Sequence, residues 1–302
     1  MGRIIVTGGY GFIGSHFVNS LYHKTNHEIV ILDKLTYAAK KENVVVPHTH
    51  INKDICLVTE EDLGDFDYIV NFAAESHVDN SIKNGLPFVR TNVEGTYNLV
   101  EISRKNSNLK KFIQISTDEV YGDLFYYPDD VKSDENFNLN PSSYYSSTKC
   151  SSDLIVISAN KTFNLPYIIT RTCNNYGENQ HDEKFIPKII NSIKQNKDIP
   201  IYGDGNQIRE WIHADDNSES IIKIIFSEKI NQIYNIGTNE TYTNNEIIKI
   251  IGDILGKKIN FTYVADRLGH DRRYSLDSNK FVSEFGNIQK TKLKDWLNKI
   301  IK

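Results

Sequence analysis

Two short runs carry side chains able to do chemistry. Tyr145-Ser146-Ser147-Thr148-Lys149 sets a phenol four residues ahead of an ammonium, and on a helix that spacing projects both from one face. A cation beside the phenol favours the phenolate and is expected to lower the tyrosine pKa from its ordinary value of ~10. Tyr145 then becomes a usable base at neutral pH, and Lys149 can also hold a cofactor ribose. Tyr144, five residues from Lys149, points about 140° away. The second run, Ser116-Thr117-Asp118-Glu119-Val120-Tyr121-Gly122, places two carboxylates side by side directly after an apolar strand ending at Ile115. Adjacent like charges over a ligand crevice repel and raise one pKa, which divides them into a protonated acid and an ionised base. Oxidation of an alcohol needs only the Tyr–Lys pair. An added acid–base pair points to elimination of water.

Those groups must be held over a ligand, and the start of the chain names one. The apolar strand Ile4–Thr7 runs into Gly8, Gly11 and Gly14 and then into a helix-patterned stretch from Ser15 to Tyr22. Glycines permit the tight strand-to-helix turn and let a pyrophosphate approach bare backbone, and the helix start offers free N–H groups and a partial positive charge. The spacing is G-x-x-G-x-x-G. Asp33 ends a second apolar strand about 20 residues past Gly14, where a carboxylate accepts the hydroxyls of an adenosine ribose. A carboxylate there repels a 2′-phosphate, so NAD is favoured over NADP, with Lys34 weakening the preference slightly.

Candidate strands Ile4–Thr7, Ile29–Asp33, His50–Lys53, Tyr68–Asn71, Lys111–Ser116 and Tyr167–Thr170 alternate with stretches of helix length. Alternation of this kind predicts an α/β fold, a Rossmann-type doubly wound parallel sheet whose ligands sit outside the carboxyl ends of the strands. Phe72–Val78 and Ser116–Gly122 follow strands directly and should line that crevice. After Thr172 the rhythm changes. A helix-like Phe185–Lys194, a strand and turn over Ile199–Gly205 and a mixture of elements in Thr243–Leu255, Asn260–Val264 and Thr291–Ile301 predict a smaller α/β substrate-binding lobe. Ile233–Ile236 reads as a strand rejoining the parallel sheet. The expected division is residues 1–173 with 210–238 as the NAD-binding part, and 174–209 with 239–302 as the nucleotide-sugar-binding lobe.

The 302 residues, 25% of them charged with a formal net charge of −4, suit a substantial core and give no sign of a nucleic-acid partner. The chain enters a core strand at once and has no apolar run of membrane-spanning length, so neither a signal peptide nor a membrane partner is expected, and the expected location is cytoplasmic. Met1-Gly2 is followed by Val6, without the Ser or Thr of a myristoylation signal. Cys56, Cys150 and Cys173 are odd in number and scattered, as suits reduced thiols, and no metal site is expected.

With these runs in view, the chain resembles the extended short-chain dehydrogenase/reductase superfamily, and within it the nucleotide-sugar (dTDP- or UDP-glucose) 4,6-dehydratases. The resemblance covers nearly the whole chain. Its carriers include Thr7–Gly14, Asp33–Ala38, Ala73–Asp79, Thr117–Gly122, Tyr145–Lys149, Asn174–Gly177, Gln207–Trp211, Tyr234–Gly237 and Gly269–Tyr274. It implies that Tyr145 takes the C4 hydroxyl proton as hydride passes to NAD, that Thr117 bonds the same oxygen, that Glu119 removes the C5 proton and that Asp118 protonates the departing C6 hydroxyl. The product would be a 4-keto-6-deoxy sugar, on the way to deoxysugars such as rhamnose. It also implies that Phe12, Ile13, Asp33, Lys34, Leu35, Thr36, Asp54, Ile55, Phe72, Ala73, Ala74, Glu75, Ser76, Thr91, Tyr145, Lys149 and Asn175 touch NAD. Ser76, Thr117, Asn174, Lys184, Phe185, Pro200, Ile201, Tyr202, Arg209, Asn244, His270, Asp271, Arg272, Arg273 and Tyr274 would hold the nucleotide sugar. Arg209, Arg272 and Arg273 offer planar forks for a diphosphate, and Tyr202 a ring for a pyrimidine.

The chain departs from the family pattern in shorter connections around Lys40–His50 and Asp62–Phe66, in Asn80 where Arg is usual, and in Cys150 where Ala is common. A 4-epimerase on the same scaffold is the nearest rival, and the Asp118–Glu119 pair speaks against it. A non-catalytic NAD-binding protein would have no use for Tyr145, Lys149 and two carboxylates. Thymidine against uridine stays open, since a ring methyl is worth only about 1–3 kcal/mol. A homodimer is expected from the resemblance, through helical stretches Asn92–Ile102 and Tyr145–Phe163 carrying Val93, Leu99, Val100, Leu154, Ile155 and Ile157 into a four-helix interface.

Overall fold

The computed structural model describes residues 2–195 and 197–301. Twelve strands form among the described residues: β1 (Arg3–Thr7), β2 (Glu28–Leu32), β3 (Thr49–Ile51), β4 (Tyr68–Asn71), β5 (Lys111–Thr117), β6 (Tyr167–Thr172), β7 (Asn174–Tyr176), β8 (Ile199–Tyr202), β9 (Ile208–His213), β10 (Gln232–Ile236), β11 (Thr241–Thr243) and β12 (Phe261–Val264). Seven of them make one sheet in the order β10-β6-β5-β4-β1-β2-β3, parallel throughout. This is the expected Rossmann-type sheet, and β10 forms one of its edges, with β3 at the other. The order reverses between β1 and β4, which opens a crevice outside the strands' carboxyl ends.

Alternation within each strand divides the core between the two faces. Ile4, Val6, Ile29 and Ile31 pack into one cluster and Ile5, Val30 and Leu32 into the other. Each such side chain, fully buried, contributes about 1.5–3 kcal/mol. A third core gathers Tyr176, Ile186, Ile201, Trp211, Ile247 and Trp296 beside a three-stranded sheet, β11-β9-β7, and a two-stranded ribbon, β12-β8. The strands β7, β9 and β11 were not foreseen, because they are short and rich in polar residues and carry little alternation.

Local chemistry sets the elements that matter for the site. The helix Phe12–Tyr22 starts on Gly11 with no side-chain cap and no acidic residue in its first turn, so its amino end stays free for an anion. The helix Tyr144–Phe163 starts where Ser143 caps it: the Ser143 side chain accepts from the Ser146 N–H, and the Ser146 hydroxyl accepts from the Ser143 N–H. The serines ahead of Lys149 therefore open a helix. Before Thr96–Ser103 the chain runs through a wider π-helical turn, Val89–Gly95. Leu99 and Val100 are buried in the chain's own core, whereas Tyr97 and Leu154 are 55% and 51% exposed. That corrects the expectation that Leu99 and Val100 are available to a partner. The three cysteines are free thiols, two buried and Cys56 half-buried.

Gly8 has φ +65°, and a Cβ there would lie 2.8 Å from the backbone of Ala73. A Cβ on Gly14 would lie 2.3 Å from the Gly8 carbonyl oxygen. Both contacts are with backbone, which cannot swing aside. Gly14→Ala is expected to lower the unfolding free energy by about 1–3 kcal/mol, read as an earlier urea midpoint at unchanged slope; an unchanged midpoint would contradict this packing.

Candidate active site

The crevice is a cavity of about 480 Å³ that runs from the glycine turn, past β4 and β5, to the segment 267–274. At one end lie Gly8, Gly11, Phe12, Ile13 and Gly14, with the unblocked helix start. Asp33 is buried at the end of β2. Its oxygens accept from the N–H groups of Tyr10 (3.1 Å) and Leu35 (2.8 Å), which fixes the carboxylate on the cavity wall. Lys34 reaches Asp54 (3.2 Å) and Thr91 (3.4 Å). Accepting from Lys34 and from the Cys56 N–H outweighs burial and holds the Asp54 carboxyl below its ordinary range. Thr36, Ile55, Phe72, Ala73, Ala74, Glu75, Ser76 and Asn175 complete this wall. Leu35 does not: it has φ +58° and packs against the first core, and only its N–H serves the site.

The middle of the cavity is lined by Thr117, Glu119, Tyr145 and Lys149. Buried polar groups hold these elements in register. Asn92 accepts from the Glu75 N–H (2.9 Å) and donates to the Glu75 carbonyl (3.0 Å) and the Thr148 hydroxyl (2.9 Å). It thereby ties the segment after β4 to the Tyr145 helix. Thr7, Asn71 and Gln114 link the ends of β1 and β4 to the middle of β5 in the same way.

The electrostatics differ from expectation at Tyr145. Burial, followed by the nearby Glu119 and Asp118 charges, raises its pKa far above the ordinary value, against a lowering hydrogen bond from Thr117. Lys149 is not among the main influences on it. The ammonium donates to the Ile115 carbonyl at 2.5 Å, and burial pushes its own pKa down to about 8. The expectation that the lysine alone makes the tyrosine a base is thus corrected, because desolvation outweighs it.

The two carboxyls do diverge. Asp118 is raised well above its ordinary range by burial, then by Glu119 and Glu210. Glu119 is raised by burial but opposed by Arg267, Arg209 and Lys184. Asp118 therefore holds a proton more firmly, while three cations favour an ionised Glu119. Their placement also differs. Glu119 lines the cavity, whereas Asp118 lies behind Thr117, whose hydroxyl donates to Asp118 Oδ1 at 3.1 Å. Asp118 Oδ2 is buried with no partner among the described residues. The expectation that both carboxylates face the crevice is corrected to Glu119 alone, with Asp118 one hydroxyl behind it.

At the far end Asn174, Lys184, Phe185, Pro200, Tyr202, Arg209, Asn244, His270 and Tyr274 line the cavity. Four expected residues do not. Along β8 the burial alternates, so Pro200 and Tyr202 face the cavity and Ile201 enters the third core. Asp271 is buried and accepts from the Tyr274 hydroxyl, and its carbonyl accepts from Arg209 (2.7 Å). Arg272 pairs with Asp204 at 2.8 Å and lies over the Phe125 ring. Arg273 is buried, donating to the carbonyls of Leu124, Tyr127, Pro128, Asp129 and Val131. Of the three expected forks, only Arg209 reaches the cavity, stacked at 4.4 Å on Tyr274. Arg267, which sequence reasoning missed, lines it too and pairs with Asp79 at 3.4 Å. Its type was the only available signal, in a loop whose neighbouring arginines turn elsewhere.

The profile of the NAD dependent epimerase/dehydratase family matches residues 4–237. The chain belongs to that family. It is 43% identical over 286 residues to the low-salt glycan biosynthesis protein Agl12 of Haloferax volcanii, covering 92% of this chain and 90% of that protein. It is 38% identical to a dTDP-glucose 4,6-dehydratase of Escherichia coli, covering 94% and 87%. The structure of DesIV, a dTDP-glucose 4,6-dehydratase of Streptomyces venezuelae solved with NAD bound, matches with a TM-score of 0.93 at 38% identity over 99% of this chain and 95% of that one.

In this epimerase/dehydratase chain the glycine cradle, the unblocked helix start and the Asp33 carboxylate fit a dinucleotide without a 2′-phosphate. Asp33→Arg is expected to weaken NAD binding about 10- to 100-fold, the worth of hydrogen bonds to a charged group, in calorimetric titration of cofactor-stripped protein. Tighter binding of NADP than of NAD by the unaltered chain would contradict the reading of Asp33.

Proposed function

We propose that this chain is a nucleotide-sugar 4,6-dehydratase that acts on dTDP-glucose with retained NAD and releases the 4-keto-6-deoxy sugar. The observation that carries the reading is the divided pair at the end of β5, with Asp118 raised well above its ordinary range by burial and Glu119 lining the cavity, its rise opposed by three cations. An epimerase has no step that needs both. The thymidine nucleotide follows the dehydratase relatives, which are named for it.

When bound, NAD would supply the hydride acceptor and donor. Tyr145 takes the proton of the C4 hydroxyl as that carbon is oxidised, and Thr117 turns its hydroxyl to the same oxygen. The C4 ketone acidifies the C5 hydrogen. Glu119 removes that proton, and Asp118, released from Thr117, protonates the departing C6 oxygen. Lys149 holds the cofactor ribose. Arg209, Arg267 and Lys184 balance the diphosphate, and Tyr202 stacks on the pyrimidine. We take residues 174–209 and 239–302 as the lobe that holds the nucleotide, and 1–173 with 210–238 as the part that holds NAD.

Tyr145→Phe should abolish turnover at the first step. Asp118→Asn and Glu119→Gln should retain oxidation at C4, accumulate enzyme-bound reduced nicotinamide, and lose dehydration by about 10²–10⁴-fold, the worth of a positioned acid or base. Unaltered dehydration by either carboxylate variant would contradict the assignment. A homodimer through the helices carrying Tyr97 and Leu154 accompanies this reading. Sedimentation at micromolar concentration should give twice the chain mass, and a monomer would rule it out.

A further inference from the structure

Behind Lys149 lies a buried ion pair that the reaction above does not use. Asp153 follows Lys149 by one helical turn on the same face and is 0% exposed; Arg171, near the carboxyl end of β6, is 2% exposed. Arg171 Nε donates to Asp153 Oδ2 at 3.0 Å, and its Nη1 donates to the Tyr121 hydroxyl at 2.9 Å. Tyr121 in turn donates to Asn235 at 2.8 Å and stands at the end of the 3-10 turn Asp118–Tyr121. Asp153 Oδ1 has no partner among the described residues. Asp153 is thus paired through one oxygen only, in the buried interior, one turn of helix from Lys149.

A buried pair of this kind is a costly way to hold a helix to a strand, since apolar residues of similar volume serve as well or better. We propose that Asp153, held by Arg171, is a positioning residue that keeps Lys149 protonated in its buried site, so that the ammonium persists at the pH of turnover. This rests on Lys149 acting in the proposed dehydration.

The charges around the lysine agree. Burial pushes Lys149 down to about 8, and Asp153 is the one charge that opposes it. The same carboxylate raises Tyr145, after burial, Glu119 and Asp118. The groups facing Asp153 and Lys149 are Tyr145 and Cys150 on their own helix, Asp118, Glu119 and Tyr121 on the 3-10 turn, and Tyr167 and Arg171 on β6. From β5, Ser116 is the polar neighbour of Asp153, while Lys111 donates to the Ile224, Ile225 and Ser227 carbonyls instead. On the remaining elements packed against the helix, Lys83, Arg90 and Glu94 are exposed, and Asp79 and Glu101 pair with Arg267 and Arg104.

The test follows Lys149 itself by NMR titration of ¹³Cε-labelled lysine, its signal assigned with Lys149→Arg, alongside the pH profile of kcat in the full chain. Asp153→Asn should move the Lys149 midpoint down by about 1–3 units, the effect of a nearby opposite charge, and the alkaline limb of kcat should fall with it. Should that variant not fold, Asp153→Asn combined with Arg171→Met removes both charges and leaves no orphan cation, and it should show the same direction. A midpoint that stays in place in the folded variants, whatever the loss of stability, would overturn the proposal. A midpoint that moves while the kcat limb stays would uphold the effect of Asp153 on Lys149 and contradict instead the role of Lys149 in turnover.

Discussion

The structure turns on the cost of keeping carboxyl groups out of water at the end of β5. Asp118 is buried with one oxygen unpartnered, and Glu119 sits half-buried beside it. In water both would ionise and neither would be special. Withdrawn from it, both are pushed upward by burial, Asp118 well above its ordinary range, while at Glu119 Arg267, Arg209 and Lys184 oppose the rise. The difference between acid and base is therefore made by the second half of the chain, which brings those cations over a crevice built by the first half.

The same low dielectric governs Tyr145 and Lys149, with opposite consequences. Burial holds the phenol protonated and drains the ammonium, so neither is ready for chemistry on its own. Each depends on a neighbour, Lys149 on Asp153 and Tyr145 on Thr117, whose hydrogen bond opposes the rise. Protonation of Asp118 also relieves Tyr145 of one of the two closest negative charges. Such a site works only if its parts cannot drift, and buried amides supply that rigidity: Asn92 clamps Glu75 to Thr148, and Asn71 joins Thr7 to Gln114. A buried amide left without partners would cost about 1–3 kcal/mol, which makes each of these contacts hard to give up.

The parallel sheet and the site's core were legible because they follow from local rules. Alternating apolar runs mark strands, glycines with no room for a Cβ mark the phosphate turn, and the segments directly after strands border the crevice. What was not legible depends on tertiary placement. Arg209, Arg267, Arg272 and Arg273 are one residue type in neighbouring segments, yet the first two reach the cavity, the third pairs with Asp204 at the surface, and the fourth staples a loop. Ile201 lies between two cavity residues and faces the core, a consequence of strand pleat that motif resemblance alone overlooks. The sign of the tyrosine shift was misjudged for a related reason: spacing brings Lys149 to the right face, but burial, which no spacing reveals, outweighs its charge.

The central claim is that one chain oxidises C4, eliminates across C5 and C6, and returns the same hydrogen to C6. Conversion of dTDP-glucose carrying deuterium at C4 tests it most directly, with the product read by mass spectrometry and proton NMR. The account predicts a product lighter by one water with deuterium at C6 and none at C4. A product of unchanged mass with deuterium still at C4 would contradict it and make the chain an epimerase.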